Sequence, residues 1–217
     1  MILKYIDIAM EGLIMEILDA IYQRKSTRKY KKVKINKVII NEIICAGMQA
    51  PSPKNDQPWY FLVVEDNEKK TEIANILEHQ LIYLKKENDS KQVFRKDIIS
   101  AFQSVDVLRN ASVIVFVYLN NNVYQVHDDN VKWELSAKDI ECTHIMSIGA
   151  AIQNMLLAAT RNKVDSLWLG DIFYAYNDLK AYLGREGCMM AAIAFGYGLE
   201  VSNKTGRKAF DEVVTYF

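Results

Sequence analysis

Ala50-Pro51-Ser52-Pro53-Lys54-Asn55-Asp56-Gln57-Pro58-Trp59 separates an apolar helical pattern from an apolar strand pattern. Pro51 and Pro53 fix their own φ angles and disfavour helical geometry in the residues before them, so the preceding helix must end here. Ser52, Asn55 and Gln57 offer hydrogen-bond donors and acceptors within a few residues of one another. The stretch therefore predicts a stiff polar loop that binds a ligand edge carrying both a carbonyl oxygen and a ring nitrogen.

The patterns on either side of the loop predict alternating helices and strands. Asn36 is a candidate N-cap for the helix before the loop, whose buried face we expect to comprise Val38, Ile39, Ile43, Ile44 and Met48. Trp59–Val64 is a continuous apolar run and predicts a central strand. The same periods predict helices at 15–23, 68–86, 93–102, 136–162 and 175–183, and strands at 111–119, 166–169 and 189–197.

This order of elements predicts a layered α+β fold around a mixed sheet. A chain of 217 residues, half of them apolar, can bury one sizeable core. No repeat, low-complexity tract or linker divides the sequence, so a single domain is expected.

A second informative segment, residues 24–34, carries seven cations and no acid. Ser26 stands between Arg24 and Arg28, and guanidinium groups on either side of a hydroxyl match the oxygens of a phosphate. The alternatives are a solvated charged loop or a nucleic-acid face. The balance of 27 cationic and 27 acidic residues argues against nucleic acid. The other lysines of the run are interpreted as surface charge: Lys29, Lys31, Lys32 and Lys34.

Together the two segments resemble the FMN-dependent nitroreductase family. There, a basic R-x-S-x-R-like turn grips the FMN phosphate, and a P-S-x-x-N-x-Q-P-W-like loop flanks the isoalloxazine ring. The resemblance covers about 15–217 and leaves 1–14 as an N-terminal extension or a misassigned start. It implies a three-layer α+β fold with a central mixed, mostly antiparallel sheet flanked by helices, and a C-terminal arm exchanged in a homodimer.

The resemblance also assigns cofactor-binding roles to individual positions. One chain would bind the phosphate and the other would supply the ring loop, while a strand-end turn would place main-chain N–H groups near flavin N5. Arg207, with Lys208 beside it, would complete the phosphate clamp, although Ala209 and Gly198 stand where the family often has proline. The implied cofactor-binding residues are Arg24, Lys25, Ser26, Arg28, Pro51, Ser52, Pro53, Asn55, Gln57, Leu169, Gly170, Arg207 and Lys208.

The implied activity is a ping-pong oxidoreduction in which NADH or NADPH reduces FMN and a nitroaromatic, quinone or similar small molecule reoxidises it. No catalytic side chain is assigned, because the chemistry belongs to the cofactor. Two alternatives stay open: a flavin carrier or redox sensor that does not turn over, and a dehalogenase or azoline-oxidase branch. Residues 120–135 show no clear period and are expected to be disordered or to form a lid over the substrate side.

Several other classes of function are disfavoured by the sequence. Cys45, Cys142 and Cys188 lack metal-ligand or redox-pair spacing and are interpreted as reduced core thiols. The three histidines also lack metal-ligand spacing, so no metal site is predicted. No run of about 20 uncharged apolar residues occurs, so we expect a cytoplasmic protein without membrane or nucleic-acid partners.

Overall fold

The computed structural model describes residues 17–87, 92–120, 137–199 and 206–217. The predicted lid at 120–135, apart from its first residue, and the predicted extension at 1–14 lie outside these ranges. The helices are α1 Ile17–Gln23, α2 Lys37–Met48, α3 Asn67–Glu87, α4 Gln92–Asn110, α5 Ala137–Arg161 and α6 Tyr176–Leu183. The strands are β1 Trp59–Val64, β2 Val113–Leu119, β3 Asp165–Leu169 and β4 Cys188–Gly196, and short 3-10 helices cover Pro53–Asn55, Asp171–Ala175 and Phe210–Glu212.

The four strands form one sheet in the order β1-β2-β4-β3, with every neighbouring pair antiparallel. A parallel bridge between Ser26 and Ser166 adds the mixed character that was predicted. The strand at Trp59–Val64 is confirmed, but its central position is wrong: among the described strands it lies at the edge. A continuous apolar run indicates burial without fixing the order of strands, and Tyr60 and Val63 are in fact partly exposed.

Helices cover both faces of the sheet, which confirms the three-layer α+β fold. On one face, α3 and α4 contribute Leu77 and Leu108 to a core with Phe116 of β2. On the other face, Ile43 of α2 and Ile152 of α5 pack with strand residues that point the opposite way. The alternation of side chains along β2 divides its apolar residues between the two cores.

The helix before the polar loop begins as predicted. The Asn36 Oδ1 accepts a hydrogen bond from the Val38 N–H at 2.9 Å. The predicted buried face is shifted, since Ile40, Ile43 and Gly47 are buried while Val38 and Met48 are exposed. Apolar residues cover more of this helix than one narrow face, so their periodicity alone could not show which of them are buried.

Helix α2 comes close to α5 at Gly47, where a Cβ would lie 2.7 Å from the Met155 Cγ and 3.3 Å from the Ala151 carbonyl oxygen. A Cβ at Gly149 of α5, by contrast, would meet no atom within 4 Å. Glycine on α2 thus lets the two helices touch beneath the sheet.

By length and hydropathy, Lys138–Arg161 of α5 could cross a membrane. This segment is a core helix, because Ile152 and Met155 are fully buried against the sheet and α2. Its length and hydropathy are therefore weak evidence for a membrane span. The prediction of core thiols is wrong, since Cys45, Cys142 and Cys188 are all exposed, although none forms a disulfide. Apolar neighbours in sequence do not fix which face of a helix a cysteine occupies.

Candidate functional site

The basic turn runs along the ends of β3 and β4 and is bonded to both. The Thr27 N–H donates to the Ser166 carbonyl at 3.0 Å, and the Lys31 N–H donates to the Tyr197 carbonyl at 2.7 Å. The Leu199 N–H donates in return to the Lys29 carbonyl at 3.0 Å. The backbone of the cationic segment is therefore a short extension of the sheet rather than a loose loop.

Asp165, the first residue of β3, joins the turn to the chain leaving β4. Its carboxylate accepts one hydrogen bond from the Thr27 Oγ1 at 3.0 Å and another from the Gly198 N–H at 2.9 Å. A side chain at position 198 would lie 3.0 Å from that carboxylate, so glycine permits the contact. Sequence reasoning missed Asp165, and the signal that could have found it is an acid opening an otherwise apolar strand.

Tyr30 anchors the other end of the turn. Its ring is buried against Gly196, where a Cβ would lie 2.5 Å from the ring. Burial raises the pKa of Tyr30, the Asp165 carboxylate adds to this effect, and Arg28 opposes it. Because both glycines of the Gly196-Tyr197-Gly198 turn are needed for packing, proline at either place would not substitute for them.

The predicted phosphate-binding residues are displayed on this anchored backbone. Arg24, Lys25 and Ser26 are half-buried and Arg28 is exposed. Within the described residues, Arg24, Lys25 and Arg28 form no ion pair with a carboxylate. Cationic side chains next to a serine, with no ion pair to a carboxylate in the described ranges, suit a dianionic ligand.

The polar loop is held by its own hydrogen bonds in a strained conformation. The Ser52 Oγ accepts from the Gln57 N–H at 3.0 Å, and the Ser52 carbonyl accepts from the Asn55 N–H at 3.1 Å. Lys54, Asn55 and Gln57 have φ angles of 50°, 59° and 46°, a left-handed geometry that costs a residue other than glycine about 1 kcal/mol. The exposed amides of Asn55 and Gln57 face outward from this rigid frame. Pro51 is exposed, and Pro53 opens the 3-10 helix.

A polar side-chain contact docks the loop onto α5. The Asp56 Oδ2 lies 3.3 Å from the Nε2 of His144, whose ring is buried. Sequence reasoning treated His144 only as a core or surface histidine and missed this partner, which lies 88 positions away along the chain.

The strand-end turn at Leu169-Gly170 is less distinctive than expected. Leu169 is buried, so only its main chain can reach a ligand. Gly170 has an ordinary φ of −87°, and a Cβ there would meet nothing within 4 Å, so no close contact within the protein requires glycine. Arg207 and Lys208 lie on the exposed segment 206–217, where the Arg207 Nη1 donates to the Gly206 carbonyl at 3.0 Å.

Strand pairing separates the predicted site residues into two groups. Ser26 lies beside Ser166, which is opposite Phe195 at the end of β4. The loop leads into Trp59, which is joined through Leu119 to Cys188 at the start of β4. Phe195 and Cys188 are separated by roughly 23 Å along the strand. Leu169-Gly170, by contrast, lies only about 13 Å along β3 from Ser166.

The position of the loop against α5 gives an independent measure of the same separation. His144, which contacts the loop, and Arg161, which precedes β3, are about 25 Å apart along the helix axis. Within one chain the basic turn and the polar loop therefore lie at opposite ends of the sheet.

Comparison with known proteins gives consistent matches. A model of the nitroreductase family matches residues 21–197. A protein of Archaeoglobus fulgidus, named as an NADH dehydrogenase/NAD(P)H nitroreductase, is 31% identical over 155 residues, which is 71% of this chain and 67% of that protein.

Two solved structures are similar over most of the chain. A BluB-like flavoprotein from Clostridium difficile 630 has a TM-score of 0.77 and 26% identity, over 94% of this chain and 99% of that one. A nitroreductase from Desulfovibrio desulfuricans, solved in complex with FMN, has a TM-score of 0.67 and 26% identity, over 94% and 97%.

Replacing Asp165 tests the anchoring of the basic turn. Asp165→Ala removes both accepted hydrogen bonds, so we expect the free energy of unfolding to fall by about 1 to 3 kcal/mol in urea titration. Glu186→Ala, at an exposed acid, is the matched control and should change it little. Equal effects of the two substitutions would contradict the anchoring role.

Proposed function

Because this chain belongs to the nitroreductase family, we propose that it is an NAD(P)H-dependent FMN oxidoreductase. It passes hydride from NADH or NADPH through flavin N5 to a nitroaromatic, a quinone or a similar small acceptor by a ping-pong mechanism. The relatives support the two cofactors, since one is named for NAD(P)H and another was solved with FMN. A cytoplasmic location without membrane or nucleic-acid partners is part of the proposal.

The observation that carries the proposal is the cationic turn. Arg24, Lys25 and Arg28 lie within two residues of Ser26 in sequence, form no ion pair with the described carboxylates, and stand on a backbone bonded to β3 and to the chain leaving β4. Such a donor set fits the phosphate of FMN, because charged N–H groups on a fixed frame bind a dianion without paying for loop ordering. Arg207 and Lys208 would add to it from the C-terminal segment.

The length of the sheet supports a site that is shared between two chains. The turn is bonded to Ser166 of β3 and Leu169-Gly170 lies at the end of the same strand, within reach of the two ends of one FMN. The polar loop of the same chain is about 25 Å from the turn, farther than an extended FMN can span. We therefore propose a homodimer in which the loop from Pro51 to Gln57 of the second copy completes the site.

Exposed apolar surface supports a second copy of the chain. Ile17, Leu18 and Tyr22 on α1 are largely exposed, as is Met146 on the adjoining α5. The segment after residue 206 also exposes Phe210, Val213, Tyr216 and Phe217. Apolar surface of this extent is typical of an interface, and the last segment is the candidate for the exchanged arm.

Each group of residues has a distinct task in this proposal. FMN, when bound, supplies the redox chemistry. The turn neutralises the phosphate, and the main chain at Gly170 and the amides of Asn55 and Gln57 offer hydrogen bonds to the polar edge of the ring. The strained loop is preorganised, so its amides bind without reordering. No side chain of this chain is assigned as acid or base.

Truncating the turn should weaken retention of FMN. Arg24→Ala removes a charged hydrogen-bond donor and is expected to cost about 1.5 to 3 kcal/mol of FMN binding, measured by flavin fluorescence on dilution. Lys37→Ala, at an exposed lysine that begins α2, is the control and should leave retention unchanged. Full flavin occupancy of the Arg24 variant after dilution would refute the phosphate site.

Anaerobic mixing tests turnover directly. The oxidised holoprotein should lose its flavin absorbance within seconds of adding NADH or NADPH and regain it when a quinone or nitroaromatic is added. Parallel runs with the two nucleotides measure which one is preferred. Flavin colour that persists with both would exclude the oxidoreductase and favour the carrier or sensor.

A further inference from the structure

A cationic cleft of about 410 Å³ lies at the edge of the sheet where β1 ends and β2 begins. Its lining includes Lys31, Lys32 and Lys34, which the sequence suggested were only surface charge, together with Lys70, Glu65 and Arg109. A volume of this size is in the range of small-molecule sites.

The lysine at the base of this cleft is buried. Lys70 is only 3% exposed, and its Nζ donates to the Ala111 carbonyl at 2.6 Å and to the Ser112 carbonyl at 3.1 Å. An ammonium has three N–H donors, so one is not used by these carbonyls. In the part of the chain that the structure describes, no carboxylate forms an ion pair with it.

Burying an ammonium without a counter-ion is costly. Burial lowers the pKa of Lys70; the Asp66 carboxylate opposes this shift, the Lys34 ammonium adds to it, and the Glu65 carboxylate opposes it. The two carbonyls lie just beyond the end of α4, where a cation is favourable. The two carbonyls therefore bind two of the ammonium N–H groups, and no described carboxylate pairs with the ammonium directly.

The cleft as a whole has an excess of positive charge. Arg109 is neutralised on its outer side, since its guanidinium pairs with Glu78 and also donates to the Asn75 side chain at 2.8 Å. Among the charged lining residues that leaves four ammonium groups and the carboxylate of Glu65. Asp66 does not line the cleft and its Oδ1 accepts from the Lys69 N–H at 2.9 Å, but its carboxylate still acts on Lys70; with both acids counted, the four ammonium groups remain in excess.

The wall that carries three of these lysines is fixed to the sheet. The Ile35 N–H donates to the Ser112 Oγ at 2.9 Å, and Ile35 itself is buried. Ser112 immediately precedes β2, whereas Ser26, at the other end of the cationic segment, is bridged to Ser166 of β3. β2 and β3 are separated by β4, so the two ends of this segment are about 10 Å apart across the strands, and the Lys31 N–H is bonded to the Tyr197 carbonyl between them.

We propose that this cleft binds the phosphate group of a small molecule, at a site separate from that of the FMN phosphate. The Lys70 ammonium lies at its base and the ammonium groups of Lys31, Lys32 and Lys34 surround its mouth. Lysines act as point charges toward phosphate and do not demand the paired geometry of arginine.

The test uses the FMN-loaded protein, so that the flavin phosphate already occupies the basic turn. Inorganic phosphate and adenosine 5′-monophosphate are titrated separately at constant ionic strength and followed by ³¹P NMR, with flavin absorbance recorded throughout. We expect saturable binding to the wild-type protein. Lys34→Glu should weaken this binding by about tenfold, because it removes one charged contact to the phosphate. Lys37→Glu makes the same charge change on an exposed lysine outside the cleft and should leave the affinity unchanged.

Tighter binding of the nucleotide would identify a nucleotide ligand, and equal binding would identify the phosphate group alone; either supports the site. Absence of saturable binding, unchanged affinity in Lys34→Glu, or equal losses in the two variants would overturn it. Lys32→Glu, also at an exposed position, repeats the test if Lys34→Glu folds poorly. Retained flavin absorbance in the variants separates loss of this site from failure of the FMN site.

Discussion

The antiparallel pairing of β4 with β2 and β3 is the constraint on which the rest of the structure depends. It holds Asp165 beside Gly198 and so fixes the cationic turn at one end of the sheet. The same pairing carries Trp59, and with it the polar loop, to the other end. The separation of these two segments within one chain is the reason for proposing that a second copy completes the flavin site.

Rigidity at both segments follows from ordinary local interactions. The backbone of the turn is held in place, because the Thr27 and Lys31 N–H groups are bonded to the adjacent chain and the Tyr30 ring is buried. The loop is locked by the Ser52 hydroxyl and docked through Asp56 onto His144. Preorganised donors of this kind reduce the entropy lost on binding, which suits a cofactor that must stay in place through repeated reduction and oxidation.

The sequence predicted the elements and marked out the basic turn and the polar loop as distinct segments, because these depend on local signals. Paired prolines follow the end of α2, Asn36 caps its start, and continuous apolar runs form β1 and β2. The edge position of β1 and the close contact at Gly47 were not predictable, since strand order and helix packing depend on partners distant in sequence. The same reason explains why Asp165 was missed: its partners are residues 27 and 198.

The sharing of each site between two chains is the central claim, and a mixed dimer tests it most directly. One variant carries Arg24→Ala and the other Gln57→Ala, so that each homodimer has a defect in both of its sites. If the dimer is symmetric, a dimer of one chain of each variant carries both defects in one of its sites and none in the other. The account predicts that random mixing restores wild-type FMN affinity to about a quarter of the sites. A mixture whose flavin affinity is only the average of the two variants would contradict it.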